Sequence, residues 1–113
     1  MLPKINRLKK TKEIERVFKN GKSHKEGFLF FKLLKNGLTV SRFGFIVGQK
    51  VSKKATTRNK VKRRMRAAVK KELPNIKPGF DIILVALKGL ETKNFKEVEE
   101  AARRLIQKSG ICR

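Results

Sequence analysis

The sequence predicts an α+β domain, a small mixed sheet of about four strands with three helices in the order α-β-β-(β)-α-β-α. Three observations carry that expectation. Aromatic-rich apolar runs at 28–34 and 43–48 have strand length and strand composition, and the run at 80–87, apolar at every position but Asp81, suits a central strand buried on both faces. Three further segments repeat apolar residues at helical spacing. Finally, 39% hydrophobic content with eight Phe in 113 residues is enough for one small core, which argues against a disordered basic tail. The length suits a single domain over 1–113.

Taken in order, residues 1–10 are basic and irregular, with Lys4, Arg7, Lys9 and Lys10 around Leu8. Thr11 is the expected N-cap and Gly21 the expected C′ stop of a short first helix, in which Ile14, Val17 and Phe18 share a face. That spacing places Val17 in the core and leaves Phe18 open between core and ligand platform. The strand Phe28-Leu29-Phe30-Phe31-Lys32-Leu33-Leu34 runs to an Asn36-Gly37 turn. In the next strand Phe43, Phe45 and Val47 alternate with Gly44 and Gly48, so one face is bulky and the other flat enough for close approach to the backbone. A basic loop, Gln49–Thr56, leads into a helix over Thr57–Leu73, with Pro74 and Pro78-Gly79 marking its end. The last helix, Asn94–Ser109, opens on a capping pattern, Asn94-Phe95-Lys96-Glu97, and stops at Gly110; its stripe is Phe95, Val98, Ala101, Ala102, Leu105 and Ile106.

Charge narrows the function. The formal net charge is +22, from 31 Lys plus Arg against 9 Asp plus Glu, and no acid occurs between Glu26 and Glu72. Self-repulsion at that charge predicts modest stability at low salt. No segment approaches a membrane span, and the N-terminal Met1-Leu2-Pro3-Lys4-Ile5 lacks the apolar core of a secretory signal. Cys112 and His24 are each alone, without partners for a disulfide, a metal cluster or acid–base work. A reducing cytoplasm is the expected compartment.

Six of the nine residues from Arg58 to Arg66 are basic, yet Val61, Met65, Ala68, Val69 and Leu73 form one apolar stripe. A solvated charge run needs no such stripe. The segment therefore reads as a helix docked on a core that presents Lys60, Arg63, Lys70 and Lys71 outward, with Lys62 and Arg66 along one edge. Arg58, in the first turn, can reach past the apolar contact. Free N–H groups at the helix start, beside Lys50, Lys53 and Lys54, favour phosphate, and guanidinium groups add bidentate contacts and base stacking. A polyanion, RNA above all, fits this surface. The apolar stripe is too narrow and too poor in large residues for a membrane surface.

The run Arg58-Asn59-Lys60-Val61-Lys62-Arg63-Arg64-Met65-Arg66 resembles the "RNR" helix of the bacterial ribonuclease P protein component. Its flanks are similar in matching order: Asn6-Arg7-Leu8-Lys9-Lys10 with Val17-Phe18-Lys19-Asn20-Gly21, then Arg42-Phe43-Gly44, then Gly79-Phe80-Asp81-Ile82. The likeness covers essentially the whole chain. Two positions depart from the family pattern. Lys60 stands in place of the second Arg, keeping charge but losing planar geometry, and Ile14 stands where many members carry an aromatic residue.

The resemblance implies the protein subunit of a ribonucleoprotein endonuclease that removes the 5′ leader of precursor tRNA. In that family the RNA subunit carries out hydrolysis with Mg²⁺ held mainly by RNA and substrate. The protein binds no cofactor tightly and supplies no catalytic residue, and the strand–helix–strand unit from Phe43 to Leu87 is a left-handed crossover. The implied partners are ribonuclease P RNA, in a 1:1 complex with a monomeric protein, and the leader. Lys50, Lys53, Lys54, Arg58, Asn59, Lys60, Lys62, Arg63 and Arg66 would face the catalytic RNA. A cleft between the first helix and the sheet would take the single-stranded leader, lined by Ile14, Phe18, Phe31 and Ile46, with Gly44 and Gly48 in the floor and Arg7, Lys9, Lys10 and Lys12 nearby for phosphates. Two other classes compete: a ribosomal or general RNA-binding structural protein, and a basic DNA-architectural protein, which the lack of an intercalating arm or zipper disfavours.

Overall fold

The computed structural model describes residues 2–113. Met1, read above with the N-terminal stretch, lies outside the described residues. Helix α1 spans Thr11–Asn20, strand β1 Lys22–Glu26, β2 Leu29–Lys35 and β3 Arg42–Ile46. Helix α2 spans Ala55–Glu72, β4 Phe80–Ala86 and α3 Phe95–Lys108. The strands lie in the order β1-β2-β4-β3, antiparallel except for the β3–β4 pair, which α2 connects.

The position of β4 follows from its composition. A strand with neighbours on both sides and helices on both faces must be apolar throughout. Ile82 and Leu84 point to one layer, with α2 and α3; Ile83 and Val85 point to the other, with α1. Asp81 is the buried exception, and it is fully partnered. Arg42 donates to it from Nε at 2.8 Å and Nη2 at 2.7 Å, and Asn36 donates at 2.9 Å. Arg42 also pairs with Glu13 of α1 at 2.9 Å. The hydrogen bond to Asp81, above all, raises the guanidinium pKa further, against the opposing effect of burial. This network fixes α1 against the β3–β4 pair.

The additional strand before α2 is β1, Lys-Ser-His-Lys-Glu, which contains no aliphatic residue and no Phe, Tyr or Trp. It pairs only with β2, and its lysines suit an exposed edge. Gly27, at φ 56°, makes the turn between them. The other edge of the sheet is partly covered by the N-terminal segment: Leu8 N–H donates to Phe43 O at 2.9 Å, and Arg7 pairs with Phe43 in a parallel bridge.

The capping box of α3 forms as read: Glu97 N–H donates to Asn94 Oδ1 at 2.9 Å, and Asn94 N–H to Glu97 Oε1 at 3.2 Å. Two helix boundaries differ from expectation. Thr11 is not the N-cap of α1. Lys10 takes that place because its carbonyl already accepts from Glu13 and Ile14, both at 3.1 Å, and Thr11 enters the helix. Helix α2 begins two residues before Thr57, after Lys54, and ends at Glu72, where a 3₁₀ turn through Pro74 takes over. Gly21 does end α1, but in extended backbone, not in a left-handed cap. What requires glycine there is space, since a Cβ would collide with the carbonyls of Val17 and Leu33.

Candidate nucleic-acid interface

Val61, Met65, Ala68 and Val69 bury the inner face of α2 against the sheet and α3. The opposite side carries the charge. Asn59, Lys60, Arg63, Arg66 and Lys70 are exposed and Lys62 is half-buried. Thr56, Asn59, Lys62, Arg63 and Arg66 line a shallow cationic depression along it. Lys50, Lys53 and Lys54 stand exposed in the loop before the helix. Among the described residues none of the cations from Lys50 to Arg66 forms an ion pair. Each keeps its full field toward solvent, which is what phosphate recognition needs.

Arg58 and Arg64 differ from their neighbours. Arg58 Nη1 donates to the carbonyls of Ser52 at 3.0 Å and Lys53 at 2.9 Å, so its guanidinium folds back and braces the basic loop. The expectation that it reaches past the helix is corrected to this anchoring position, because two loop carbonyls otherwise lacking donors lie within its reach. Arg64 Nη1 donates to Lys93 O at 2.8 Å and ties α2 to the turn before α3.

The second surface lies between α1 and the sheet. Ile14 and Ile46 are half-buried there around Val17, Ile83 and Leu8. Val17 is buried, as its spacing required, and Phe18 remains 38% exposed. Lys9, Lys10 and Lys12 are exposed nearby, while Arg7 is half-buried with Nε held by Leu2 O at 2.9 Å.

Of the expected members of this face, one lies on the opposite layer and one is covered in place. Phe31 is fully buried on the opposite layer, with Leu29 and Leu33 beneath α2 and α3, so no ligand can reach it. Period-2 alternation instead brings Phe30 and Lys32, both half-buried, to the α1 side, opposite Val85 and Ile83. Lys32 was the available signal: a cation inside an apolar strand marks the accessible face, and Phe30 shares its parity. Gly44 is also covered, since a Cβ there would touch Leu8 at 3.5 Å, whereas Gly48 faces open space.

The acids gather elsewhere. Glu26, Glu72, Glu97, Glu99 and Glu100 pair with Lys71, Lys93, Arg103, Arg104 and Lys108 around α3 and β1. The molecule therefore has a neutralised corner and an uncompensated cationic face.

A protein-family model described as Ribonuclease P matches residues 2–110. The chain belongs to the ribonuclease P protein component family. A ribonuclease P protein component from Synechocystis sp. is 39% identical over 111 residues, covering 97% of this chain and 90% of the relative. The ribonuclease P protein of Thermotoga maritima superposes with a TM-score of 0.82 at 33% identity, covering 90% of this chain and 96% of that one. The Staphylococcus aureus RNase P protein, at 23% identity, shares the fold with a TM-score of 0.86, covering 96% and 98%. As a ribonuclease P protein component the chain is the protein part of a ribonucleoprotein endonuclease in tRNA 5′ processing, and its partner is RNA. The ribosomal and architectural alternatives have no such support.

Proposed function

We propose that the protein acts as the non-catalytic subunit, one RNA-binding domain that aligns catalytic RNA with substrate. The observation that carries this reading is the α2 face, where all nine cations of loop and helix, from Lys50 to Arg66, have no carboxylate partner among the described residues. Lys50, Lys53, Lys54, Asn59, Lys60, Lys62, Arg63 and Arg66 contact the phosphates of the ribonuclease P RNA, and Arg58 holds the loop in register. The α1 groove, with Ile14, Phe18, Phe30 and Ile46 and the cations Arg7, Lys9, Lys10, Lys12 and Lys32, receives the single-stranded 5′ leader of precursor tRNA. Exposed aromatic surface beside cations suits any base sequence, because every base offers a stacking face.

Mg²⁺ supports phosphodiester hydrolysis when held by RNA and substrate. The protein's own residues do not suit it, since no three His, Cys, Asp or Glu side chains stand together as ligands among the described residues. The assembly is one protein per catalytic RNA, in the cytoplasm. No helix among the described residues is long and apolar enough to cross a membrane.

Single-turnover cleavage of a precursor tRNA by a bacterial ribonuclease P RNA at limiting Mg²⁺, with and without the protein, tests the proposal. The expected result is faster cleavage that depends on the leader. Tight RNA binding with no stimulation would remove it.

A further inference from the structure

A cavity of about 300 Å³ opens at the outer edge of β3, where the N-terminal segment, the strand and α2 meet. It lies beside the α1 groove and shares with it the cations Arg7 and Lys9 and the wall formed by Leu8, which packs with Val17 and Ile83 under α1; Phe45 and Arg66 belong to the cavity alone. No carboxylate lines it; two guanidinium groups do, Arg7 and Arg66, together with Lys9. Its aromatic walls include Phe45, which is half-buried and packs partly against the main core.

The Arg66 guanidinium carbon stands 5.9 Å from the centre of the Phe45 ring. Among the described residues Arg66 makes no hydrogen bond and no ion pair, so this cation–π contact is its one specific polar restraint. Arg7 is the opposite case: its Nε is fixed to Leu2 O, which aims the guanidinium, while its terminal nitrogens make no hydrogen bond among the described residues. A flat aromatic ligand placed between Phe45 and Arg66 needs about 7 Å for two van der Waals contacts. Arg66 would have to withdraw by only about 1 Å, a small movement for an exposed side chain. The chemistry is therefore that of a π-face and an anion together, which is a nucleotide.

We propose that this cavity receives one unpaired nucleotide, its base between Phe45 and Arg66 and its phosphate on Arg7 and Lys9. The proposal rests on the RNA-binding reading above. It adds a site that joins the α2 face to the N-terminal segment, and its nucleotide comes either from the catalytic RNA or from the leader.

The test uses the assembled holoenzyme with photoreactive thio-nucleobases (4-thiouridine and 6-thioguanosine) placed either in ribonuclease P RNA or in the leader. Irradiation followed by mass spectrometry should locate a crosslink at Phe45 or its immediate neighbours. The arm that yields it identifies the source. In parallel, Phe45→Leu keeps an apolar side chain against the core but removes the aromatic face. It should weaken binding about fivefold or more, in assembly with catalytic RNA alone or only with leader-bearing substrate, matching the crosslinked arm. No crosslink in the cavity from either RNA, with Phe45→Leu within about twofold of the parent in both assays, would overturn the proposal. If the variant fails to fold, the crosslink on the unsubstituted protein decides alone. Failure of the unsubstituted protein to stimulate leader removal, with the crosslink retained, would instead remove the holoenzyme reading and leave the nucleotide site standing.

Discussion

Helices α2 and α3 rest on the same layer of the sheet and pack against each other, yet they treat charge in opposite ways. Helix α3 is self-contained. It begins with a capping box, and Glu97, Glu99 and Glu100 pair with Lys93, Arg103 and Arg104 on or beside the helix. It also neutralises the end of α2, where Lys71 meets Glu99 at 3.1 Å and Arg103 meets Glu72 at 3.5 Å. Helix α2 has no side-chain N-cap and no acid before Glu72, and its cations stand unpaired over most of its length. Two helices of similar burial thus divide the work. One closes the fold; the other is held in place by it while its charge awaits a partner.

That division can be broken from the α2 side with the largest effect. Replacing Lys62, Arg63 and Arg66 together by Gln removes three cations whose phosphate contacts are worth roughly 1.5 kcal/mol each. Affinity for ribonuclease P RNA at low salt should fall roughly thousandfold, and the plot of log affinity against log salt should flatten by about 2–3 units. Thermal unfolding should move little, or upward at low salt, because self-repulsion falls. A large loss of stability would show that these cations support the fold after all.

Phe18→Ala extends the comparison to α1, whose aromatic residue keeps 38% of its surface open to solvent. Binding of precursor tRNA to the holoenzyme should weaken by about 1–3 kcal/mol while mature tRNA is unaffected. Equal losses for both substrates would take Phe18 out of the leader groove.

At the neutralised contact between the end of α2 and α3, Glu72→Gln with Glu99→Gln should do the reverse of the α2 triple substitution. Their partners Arg103 and Lys71 are about half or more exposed, so each pair contributes at most about 1 kcal/mol after solvent screening. Denaturant unfolding should report that loss, with RNA affinity unchanged or slightly higher. The smallest test is Asn94→Ala, which removes the cap of α3 at a cost of about 1 kcal/mol and lowers Tm by roughly 4–8 °C. Weaker RNA binding by this variant in the folded state would contradict the separation of roles.

Much of this organisation is visible in the order of residues. The capping box needs only Asn94 and Glu97 three apart, and β4 is identified by an apolar run too long and too uniform for an edge. Helix α2 declares itself through a stripe, Val61, Met65, Ala68 and Val69, that a merely solvated basic segment has no reason to keep. Those features are local, and their physics is settled by neighbours a few residues away.

Other features belong to the tertiary structure. Strand β2 carries apolar residues on both faces with Lys32 as the one contrary mark, so hydrophobicity alone fixed its phase weakly; packing under α2 and α3 decided that Phe31 is core and Phe30 lies on the half-buried α1 side. Strand β1 has no apolar signal and exists because β2 offers it a ladder. Arg58 looks like any other cation of its helix until the basic loop returns and presents two carbonyls within its reach. Sequence by itself determined which residues are apolar, charged and capped, because those are properties of side chains and short spacings. Which face, which partner and which cavity they meet was decided by tertiary structure, because each depends on how a second segment, neighbouring or distant in the chain, packs against the first.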